Sequence, residues 1–300
     1  MAGRDVTTMA LGMMHKALIP VSVLCLLATA AGSAIWASNA VAGRSTGHTP
    51  KRIVSVNLCA DQLVLALADR NQIAGLTRNA DDREMSAEAT RAQGLPLLSS
   101  SAEHILAIDP DLVVGMPASR SMALAALKGH DYRTLNLKSA DRLADIYDAI
   151  GETAAAVGHP ERGRRMIAAM QRDLASLKKT GRGRIAAYYQ RRGYMTGTGT
   201  LVDDLMERMG LTNLAAKLGK PALAQVSLEE MVAARPDFLI VESATDKVTD
   251  QGSEMLHHPA LRDIPRISIP QAWTVCGSAA YVRAAHSMSA QIARFDAQHH

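Results

Sequence analysis

The chain contains an internal repeat whose two copies lie far apart. Five residues between Ser101 and Asp111 recur in the same order 126 residues later. The matched pairs are Ser101 and Ser227, Glu103 and Glu229, Ala107 and Ala233, Pro110 and Pro236, and Asp111 and Asp237. Solenoid repeats have periods of roughly 20 to 50 residues, so this spacing excludes a solenoid. It predicts two similar lobes, each containing one copy.

Each copy is typical of a capped helix followed by a buried strand. Ser100 with Glu103, and Ser227 with Glu230, have the Ser-x-x-Glu spacing that satisfies backbone donors at a helix start. The residue before a proline is disfavoured in the helical conformation, so the Pro-Asp pairs predict where the helices end. A short apolar run follows each pair and predicts a strand that is covered on both faces.

The amino terminus has the pattern of a secretory signal. Arg4 and Lys16 precede an apolar stretch from Ala17 to Ala31, and residues 40–42 form an Ala-x-Ala cleavage site. We therefore predict a signal peptide over residues 1–42. The apolar stretch is shorter than the roughly 20 residues of a membrane-spanning helix, which disfavours an anchor. The long charged lead-in leaves open a start at an internal methionine.

Cleavage would leave about 258 residues, which is enough for two modest lobes with ordinary cores. The full chain has a formal net charge of +4, and it contains no lysine-rich tract or nucleic-acid motif. We therefore expect no nucleic-acid partner. Cys59 and Cys276 are the cysteines that remain after cleavage, too few for a disulfide scaffold or a four-cysteine metal site.

Strand and helix patterns alternate along the rest of the chain, which predicts an α/β fold with parallel, helix-covered sheets. Strands are predicted over residues 52–56, 73–77, 112–114, 132–137, 184–189, 238–241 and 266–269. Helices are predicted over residues 61–67, 101–108, 121–128, 142–157, 160–179, 201–209, 228–234 and 280–295. The corresponding domains are an N-terminal lobe over 51–157, an interlobe helix over 158–180 and a C-terminal lobe over 181–300. The interlobe helix would span about 30 Å at 1.5 Å per residue.

In parallel sheets, ligands bind at the loops that follow the carboxyl ends of the strands. If the two lobes face each other, these loops line one cleft between them. The loops are residues 57–61, 78–82, 115–120, 190–200, 242–246 and 271–278. The candidate ligand-binding residues that they contain are Asn57, Cys59, Arg78, Arg120, Arg191, Tyr194, Trp273 and Cys276. Arginines beside aromatic rings suit a large, partly anionic ligand with flat apolar surface.

The two cysteines each lie in a predicted cleft loop, one in each lobe. Three interpretations are open for Cys59 and Cys276. They are two inert buried thiols, two groups in direct contact with the ligand, or a disulfide, which needs Cα atoms within about 7 Å of each other.

Motifs for catalysis and metal binding are missing from the sequence. There is no Gly-x-Ser-x-Gly elbow, no phosphate-binding loop and no His-Glu-x-x-His helix. The Gly-Thr-Gly at residues 197–199 lacks the third glycine of a dinucleotide fingerprint, and it predicts the tight start of a helix. His257 and His258 are adjacent and would point about 100° apart on a helix, which makes a poor metal pair. We predict no catalytic residue, no metal site and no cofactor.

Five short stretches stand in an order that is shared with a known family. They are Arg52-Ile53-Val54-Ser55, Pro110-Asp111-Leu112-Val113, Tyr194-Met195-Thr196-Gly197, Val226-Ser227-Leu228-Glu229 and Pro236-Asp237. From about Pro50 to its carboxyl end, the chain resembles the periplasmic substrate-binding proteins of ABC importers for cobalamin and ferric siderophores or haem. The resemblance implies two Rossmann-like lobes with parallel sheets, joined by a single long rigid helix. The ligand would lie in the cleft between the lobes, with only small hinge motion on binding.

The resemblance also implies partners and a compartment. In such proteins one glutamate on each lobe docks onto arginines of the membrane permease, and Glu103 and Glu229 occupy the matching positions. Equivalent sites on two pseudo-symmetric lobes can meet the two halves of a permease dimer, which works with a cytoplasmic ATPase. The implied cargo is a ferric siderophore, haem or cobalamin, and the implied compartment is the periplasm. We expect the protein to be a monomer.

Two other classes of function are open on the sequence alone. One is a secreted doubly wound enzyme, either a hydrolase or a thiol redox protein that uses Cys59 or Cys276. The other is a carrier of a bare divalent metal ion that uses His257, His258 or His286. The chain is only 3% aromatic, whereas many cobalamin and siderophore clefts contain several aromatic residues. The identity of the chelate is therefore open as well.

Overall fold

The computed structural model describes residues 48–99, 101–115 and 132–299. The predicted signal peptide, Ser100, the cleft candidate Arg120 and the predicted helix over 121–128 lie outside these residues. The described residues belong to one compact unit. Among them, no helix is both long enough and apolar enough to cross a membrane.

The first half of the chain forms a parallel five-stranded sheet. Its strands are β1 (Ile53–Ser55), β2 (Ile73–Thr77), β3 (Leu97–Leu98), β4 (Leu112–Gly115) and β5 (Thr134–Asn136). They stand in the order β3-β2-β1-β4-β5, and every pair of neighbours is parallel. This is the strand order of a doubly wound Rossmann-type sheet. The predicted α/β fold is therefore confirmed for this lobe.

Helices connect and cover the strands of the first sheet. They are α1 (Leu58–Leu67), α2 (Ala89–Ala92), α3 (Ala102–Ile108) and α4 (Leu143–Ala156). Helix α1 begins directly after β1 and packs against both the sheet and α4. The carboxyl end of β1 is therefore continued by the amino terminus of a helix.

The second half forms a six-stranded sheet that is only partly parallel. Its strands are β6 (Ile185–Tyr189), β7 (Tyr194–Thr196), β8 (Thr212–Asn213), β9 (Leu223–Gln225), β10 (Phe238–Glu242) and β11 (Arg266–Ile269). The main order is β11-β10-β6-β7-β9, and β8 pairs with the start of β6. Strands β6, β8, β10 and β11 are parallel, whereas β7 is antiparallel to β6 and to β9. The sequence predicted a second lobe that repeats the first, and this antiparallel edge is the difference.

The helices of the second half include the longest one in the described chain. They are α5 (Pro160–Ala175), α6 (Leu201–Arg208), α7 (Leu214–Lys217), α8 (Leu228–Ala234), α9 (Gln251–Glu254) and α10 (Ala280–Gln298). Single 3₁₀ turns lie at Arg70–Gln72, Arg191–Gly193, Ser243–Thr245, Met255–His257, Pro259–Leu261 and Gln271–Trp273.

Both sheets bury both of their faces, and they share one apolar core. Side chains alternate across a strand. In β4, Val114 lies in the largest apolar cluster and Val113 in a small separate one. In β10, Ile240 lies in the same largest cluster and Leu239 in a third one. We call the largest cluster the shared core, because it contains Ile53, Leu112 and Ile146 from the first half and Phe238, Tyr281 and Ile292 from the second.

Helix α5 links the two halves of the chain. Pro160 occupies its first turn, where the missing N–H has no helical partner anyway. Arg162 donates from Nη1 to the Leu67 carbonyl at 2.6 Å and from Nη2 to Asp69 at 2.7 Å. The helix packs against α4 on one side and α10 on the other. It is therefore held by both halves.

This helix is shorter than the sequence predicts. It ends at Ala175 rather than near Lys179, so its 16 residues span about 24 Å. The chain then turns, and the Gly181 and Gly183 amides donate to the carbonyls of Met209 and Gly210. Those backbone pairs hold the segment beside the end of α6, which a continuing helix would not allow.

The internal repeat corresponds to the same local structure in both halves. Ser101 caps α3 by accepting from the His104 amide at 3.3 Å, and Ser227 caps α8 by accepting from the Glu230 amide at 3.2 Å. The cap of α3 is thus Ser101, one residue after the position that the sequence pattern favours. Both helices end on a residue in the left-handed conformation, Asp109 with φ 51° and Arg235 with φ 45°.

The aspartates of the two Pro-Asp pairs hold the start of a neighbouring strand. Asp111 accepts from the amides of Lys51 and Arg52 at 2.7 and 2.9 Å, just before β1. Asp237 accepts from the amide of Ile185, the first residue of β6, at 2.7 Å. The repeat therefore specifies a helix, a strand and the attachment of the strand beside it.

Candidate ligand-binding site

The amino terminus of α1 lies at the carboxyl end of β1. Asn57 caps the helix, with Oδ1 accepting from the Ala60 amide at 2.9 Å. Its Nδ2 is buried and makes no hydrogen bond. Buried polar atoms without a partner are rare in folded proteins. The Asn57 amide is therefore a donor that an acceptor group of a ligand can use.

Asp61, in the same helix, is completely buried. Its Oδ1 accepts from the Thr77 amide at 3.1 Å, and its Oδ2 accepts from the Thr77 hydroxyl. Burial raises the pKa of this carboxyl above its ordinary value, and the hydrogen bonds from Thr77 oppose the rise. Thr77 is the last residue of β2, so Asp61 fixes α1 against the ends of two adjacent strands.

Cys59 and Cys276 form a disulfide. Their Cα atoms are 5.2 Å apart, within the range that such a bond requires. Cys59 lies in the first turn of α1, and Cys276 lies between the turn at Gln271–Trp273 and the start of α10. Of the three interpretations that the sequence leaves open, the structure contains the disulfide. It connects the two halves of the chain across 217 residues.

A cavity of about 240 Å³ lies beside the disulfide and has walls from both halves. The first half contributes Asn57, Cys59, Leu63, Ala149 and residues 137–141, and the second contributes Leu201 and residues 274–277. Three of the predicted binding residues, Asn57, Cys59 and Cys276, therefore line one cavity. Lys138 also lines it, and its side chain is exposed. The described part of the wall combines apolar surface with an amide donor and a cation.

Arg191 and Tyr194 lie at the hairpin that joins β6 to β7. Arg191 pairs with Asp250 at 3.0 Å and also donates to the Thr249 hydroxyl at 3.0 Å. Tyr194 is the first residue of β7 and is 40% exposed. Neither residue lines the cavity beside the disulfide. They belong to the rim of the second sheet, where its central strand ends.

Trp273 is half-buried and packs against the shared core. The Arg283 guanidinium lies over its ring, 5.5 Å from the ring centre. Arg283 also donates to the Ala87 carbonyl of the first half at 3.2 Å. Trp273 is therefore part of the contact between the two halves, one residue before the cavity wall begins at Thr274.

Arg78 lies in the loop after β2, and its side chain is exposed. Within the described residues it makes no ion pair or hydrogen bond through its side chain. Arg120 lies outside the described residues.

A polar network on α6 and α10 reaches toward the first half of the chain. The Tyr281 hydroxyl donates to Asp204 and accepts from Arg208 Nε at 3.1 Å. Burial, followed by the Asp204 carboxylate, raises the pKa of Tyr281. Burial also raises the pKa of Tyr147 in α4, and the charges of Arg208 and Asp204 act on its hydroxyl. The two halves are thus in contact through polar as well as apolar groups.

The profile of one protein family, described as periplasmic binding protein, matches residues 53–267. That range covers both sheets and the helix between them. The chain belongs to the periplasmic binding protein family.

The curated relatives of this binding protein include a cobalamin-binding protein from Halobacterium salinarum. It is 24% identical over 215 residues, which cover 69% of this chain. The match spans 58% of the length of that relative.

Solved structures of similar fold include binding proteins for haem and for vitamin B12. A periplasmic haem-binding protein from Roseiflexus sp. RS-1, in its apo form, superposes with a TM-score of 0.65 at 24% identity, over 81% of this chain and 99% of that one. A haem-binding protein of Vibrio cholerae gives 0.65 at 18% identity, over 80% and 97%. The vitamin B12-binding protein of Vibrio cholerae gives 0.63 at 16% identity, over 82% and 98%. At these identities the likeness establishes the fold.

The histidines considered for a metal site have structural hydrogen bonds in this binding protein. His257 Nε2 lies 2.8 Å from the Thr245 carbonyl, and His258 Nδ1 accepts from the Ala260 amide at 3.2 Å. His286 is exposed on α10. Across residues 48–99, 101–115 and 132–299, no three His, Cys, Asp or Glu side chains form a group that could hold a metal ion.

Glu103 and Glu229 occupy equivalent positions in the first turns of α3 and α8. Both side chains are exposed, and neither makes an ion pair with another described residue. A hydrogen bond from its own backbone amide, and then one from the capping serine, lowers the pKa of each carboxyl. Both glutamates therefore present a carboxylate to solvent.

Sequence reasoning missed two groups of residues at this site. Residues 138–141 line the cavity and follow β5, so the rule about carboxyl ends of strands would have found them had it been applied to that strand. Asp61 had no such signal, because a single aspartate in a first turn ordinarily indicates an exposed residue that stabilises the helix end.

Proposed function

We propose that this chain is the solute-binding component of an ABC importer, which captures a metal chelate and delivers it to a membrane permease. The observation that carries the proposal is the cavity whose walls come from both halves of the chain. Ligand sites in proteins of two lobes lie at such interfaces. Membership of the periplasmic binding protein family supports the same function.

The chelate that we propose is haem, a ferric siderophore or cobalamin. The relatives described above bind haem, vitamin B12 or cobalamin by their names. The Asn57 amide and the Lys138 ammonium could contact acceptor or anionic groups of such a ligand. We propose that the protein performs no chemistry on its cargo and acts in the periplasm, after removal of residues 1–42.

Ligand titration of the protein that begins at Gly43 tests this function. Haem, cyanocobalamin, cobinamide and a ferric hydroxamate are titrated separately, followed by calorimetry and by fluorescence. Trp273 is the tryptophan that remains after residue 42, so its emission reports on the seam beside the cavity. Saturable binding of one compound at micromolar or lower concentration, about −8 kcal/mol or better, supports the proposal.

A matched pair of variants assigns the binding to the cavity. Val275 lines it and is 39% exposed, whereas Val232 is 37% exposed beside Phe238 at the opposite end of β10. Val275→Arg should weaken binding strongly because it places a long side chain in the cavity wall, whereas Val232→Arg should not. Equal affinities for both variants would contradict the proposed site.

We further propose that Glu103 and Glu229 dock onto a permease dimer, together with its cytoplasmic ATPase. Their support is the equivalent placement on two similar helix–strand units, with both carboxylates exposed. Glu103→Gln and Glu229→Gln should each reduce cellular uptake of the bound chelate without changing its affinity. Glu230→Gln is the control, because Glu230 lies on the same helix and pairs with Lys220 at 2.7 Å. Uptake equal to that of the native protein in the double variant would exclude the docking role.

A further inference from the structure

The disulfide is the covalent connection between the two halves at their contact surface. Cys59 is fixed in the first turn of α1, whose next turn is held to β2 through Asp61. Cys276 is almost fully buried, with 2% of its surface exposed, and it lies four residues before α10. Each cysteine therefore belongs to a segment that is anchored in its own half.

Noncovalent contact beside the bond is very close. A Cβ atom added at Gly277 would overlap the Cβ of Ala140 and press on Ile146. Gly277 follows Cys276 directly, whereas Ala140 and Ile146 belong to the loop after β5 and to α4. The backbone of one half thus approaches the other without room for a side chain. The two halves cannot slide at this point unless the contact is broken.

The bond is also part of the cavity wall. Asn57 stands two residues before Cys59, and Thr274 stands two residues before Cys276; all four residues line the cavity. Such short connections leave little freedom between a bonded sulfur and the neighbouring wall residue. The distance across the cavity at this end is therefore set by the disulfide.

We propose that the Cys59–Cys276 disulfide is a clasp that fixes the width of the ligand cavity, so that ligand retention depends on the thiol–disulfide state of this pair. The proposal rests on the proposed function, because it concerns regulation of the same site. Binding to a preformed site avoids the entropy cost of ordering the walls. Opening the clasp restores that cost and weakens binding.

Opening requires a two-electron reductant, and a dithiol is the class that we propose. One thiolate of the dithiol attacks a sulfur of the protein disulfide, and its second thiolate then displaces the mixed disulfide. The protein S–S bond becomes two thiols, and the dithiol becomes a cyclic disulfide. Both sulfurs line the cavity, which gives a small dithiol a route to them.

The first experiment needs no ligand. Amide hydrogen exchange is compared among the oxidised protein, the dithiol-reduced protein and the Cys59→Ser/Cys276→Ser double variant. Residues 137–141 and 274–278 should exchange at least about fivefold faster without the bond, which is the lower end of typical coupling effects. Residues 238–242 in the centre of the second sheet serve as the internal reference. Equal exchange at the seam in all three forms would overturn the clasp.

Two controls separate the bond from other effects. The dithiol should leave exchange in the double variant unchanged, because no disulfide remains for it to reduce. The reduced native protein keeps every native side chain, so it still tests the clasp if the double variant folds poorly. A dithiol effect of the same size in the double variant would contradict the proposal.

The second experiment measures retention. Haem, cyanocobalamin and a ferric hydroxamate are titrated into the oxidised protein and into the single and double Cys→Ser variants, without reductant because thiols also reduce ferric chelates. All three variants should bind the retained compound at least about fivefold more weakly, mainly through faster dissociation. Unchanged affinity in the variants would overturn the clasp. If the oxidised protein binds none of the compounds, the proposed cargo is wrong, and the exchange experiment alone decides on the clasp.

Discussion

The two lobes use the same helix–strand unit but finish their facing edges differently. In both, a serine caps the helix, a residue in the left-handed conformation ends it, and an aspartate holds the next strand. In the first lobe the central strand β1 runs directly into α1, whose amino terminus forms the cavity wall. In the second lobe the corresponding strand β6 turns back through the Arg191–Gly193 turn into the antiparallel strand β7 before α6 begins.

This difference separates what supports the fold from what varies at the site. The repeated unit lies at the sides of the sheets and places Glu103 and Glu229 at equivalent points. The unrepeated segments, α1 on one side and residues 190–200 and 271–278 on the other, meet near the interface. Pseudo-symmetry therefore extends to the proposed docking residues and stops at the ligand cavity. A ligand without two-fold symmetry requires two different walls.

The largest expected effect concerns equivalent core residues of the two units. Leu112→Ala and Phe238→Ala should lower the free energy of unfolding by about 2–5 and about 3–5 kcal/mol, because both side chains are buried in the shared core. Because the core is shared, each variant should unfold in one transition in urea, followed by circular dichroism and Trp273 fluorescence. Two separated transitions would show that the lobes are independent, and the comparison between them would then have to be drawn lobe by lobe.

The strand-holding aspartates should differ in magnitude. Asp111 accepts two backbone amides and Asp237 accepts one, so Asp111→Ala should cost about 2 kcal/mol and Asp237→Ala about 1 kcal/mol. Chemical denaturation measures both. Asn at either position retains one acceptor oxygen and should cost less than Ala. Equal costs for the two Ala variants would mean that the number of amides does not set the contribution.

The capping serines should be equivalent. Ser101→Ala and Ser227→Ala should each lower the free energy of unfolding by about 1 kcal/mol, because each leaves one backbone donor of a first turn without its acceptor. Gly at the same positions should cost only a few tenths of a kcal/mol and serves as the control. Thermal unfolding of the four variants measures the difference. A clear cost at one serine alone would break the equivalence of the two units.

The smallest effect is the titration of the two proposed docking glutamates. Both should titrate below the ordinary value of 4.5, because the ionised form accepts from its own backbone amide and from the capping serine. The stabilisation from these bonds is present above the ordinary pKa and is lost as the pH falls through the lowered one. NMR of the carboxyl carbons should show this, and Ser101→Ala or Ser227→Ala should move the affected midpoint upward. A midpoint at or above 4.5 in the native protein would exclude the bonds.

Much of the fold follows from the sequence because its central strands are buried on both faces. Runs such as residues 238–241 can be recognised as strands without any contact information. Strand β7 was missed because its three residues, Tyr194–Thr196, are too few to show alternation, and it exists through its pairing with β6. The two-residue strands β3 and β8 were missed for the same reason.

The site was harder to predict because it depends on contacts between distant segments. The positions of Asn57 and Cys276 at the ends of strands were predicted. Their separation was not, because the sequence does not specify how two halves of a chain dock. Trp273 shows the same limit, since the residue that covers it, Arg283, is brought there by the placement of α10.

The shared core also has a consequence for how the protein is made. Tyr281, Met288 and Ile292 of α10 belong to the same apolar cluster as Ile53 and Leu112. The first lobe therefore cannot complete its inner face while the ribosome or a translocation channel still holds the final helix. Biogenesis of this protein should end with that helix: until α10 has been released, the earlier segments remain an unfinished intermediate that depends on chaperones for its solubility.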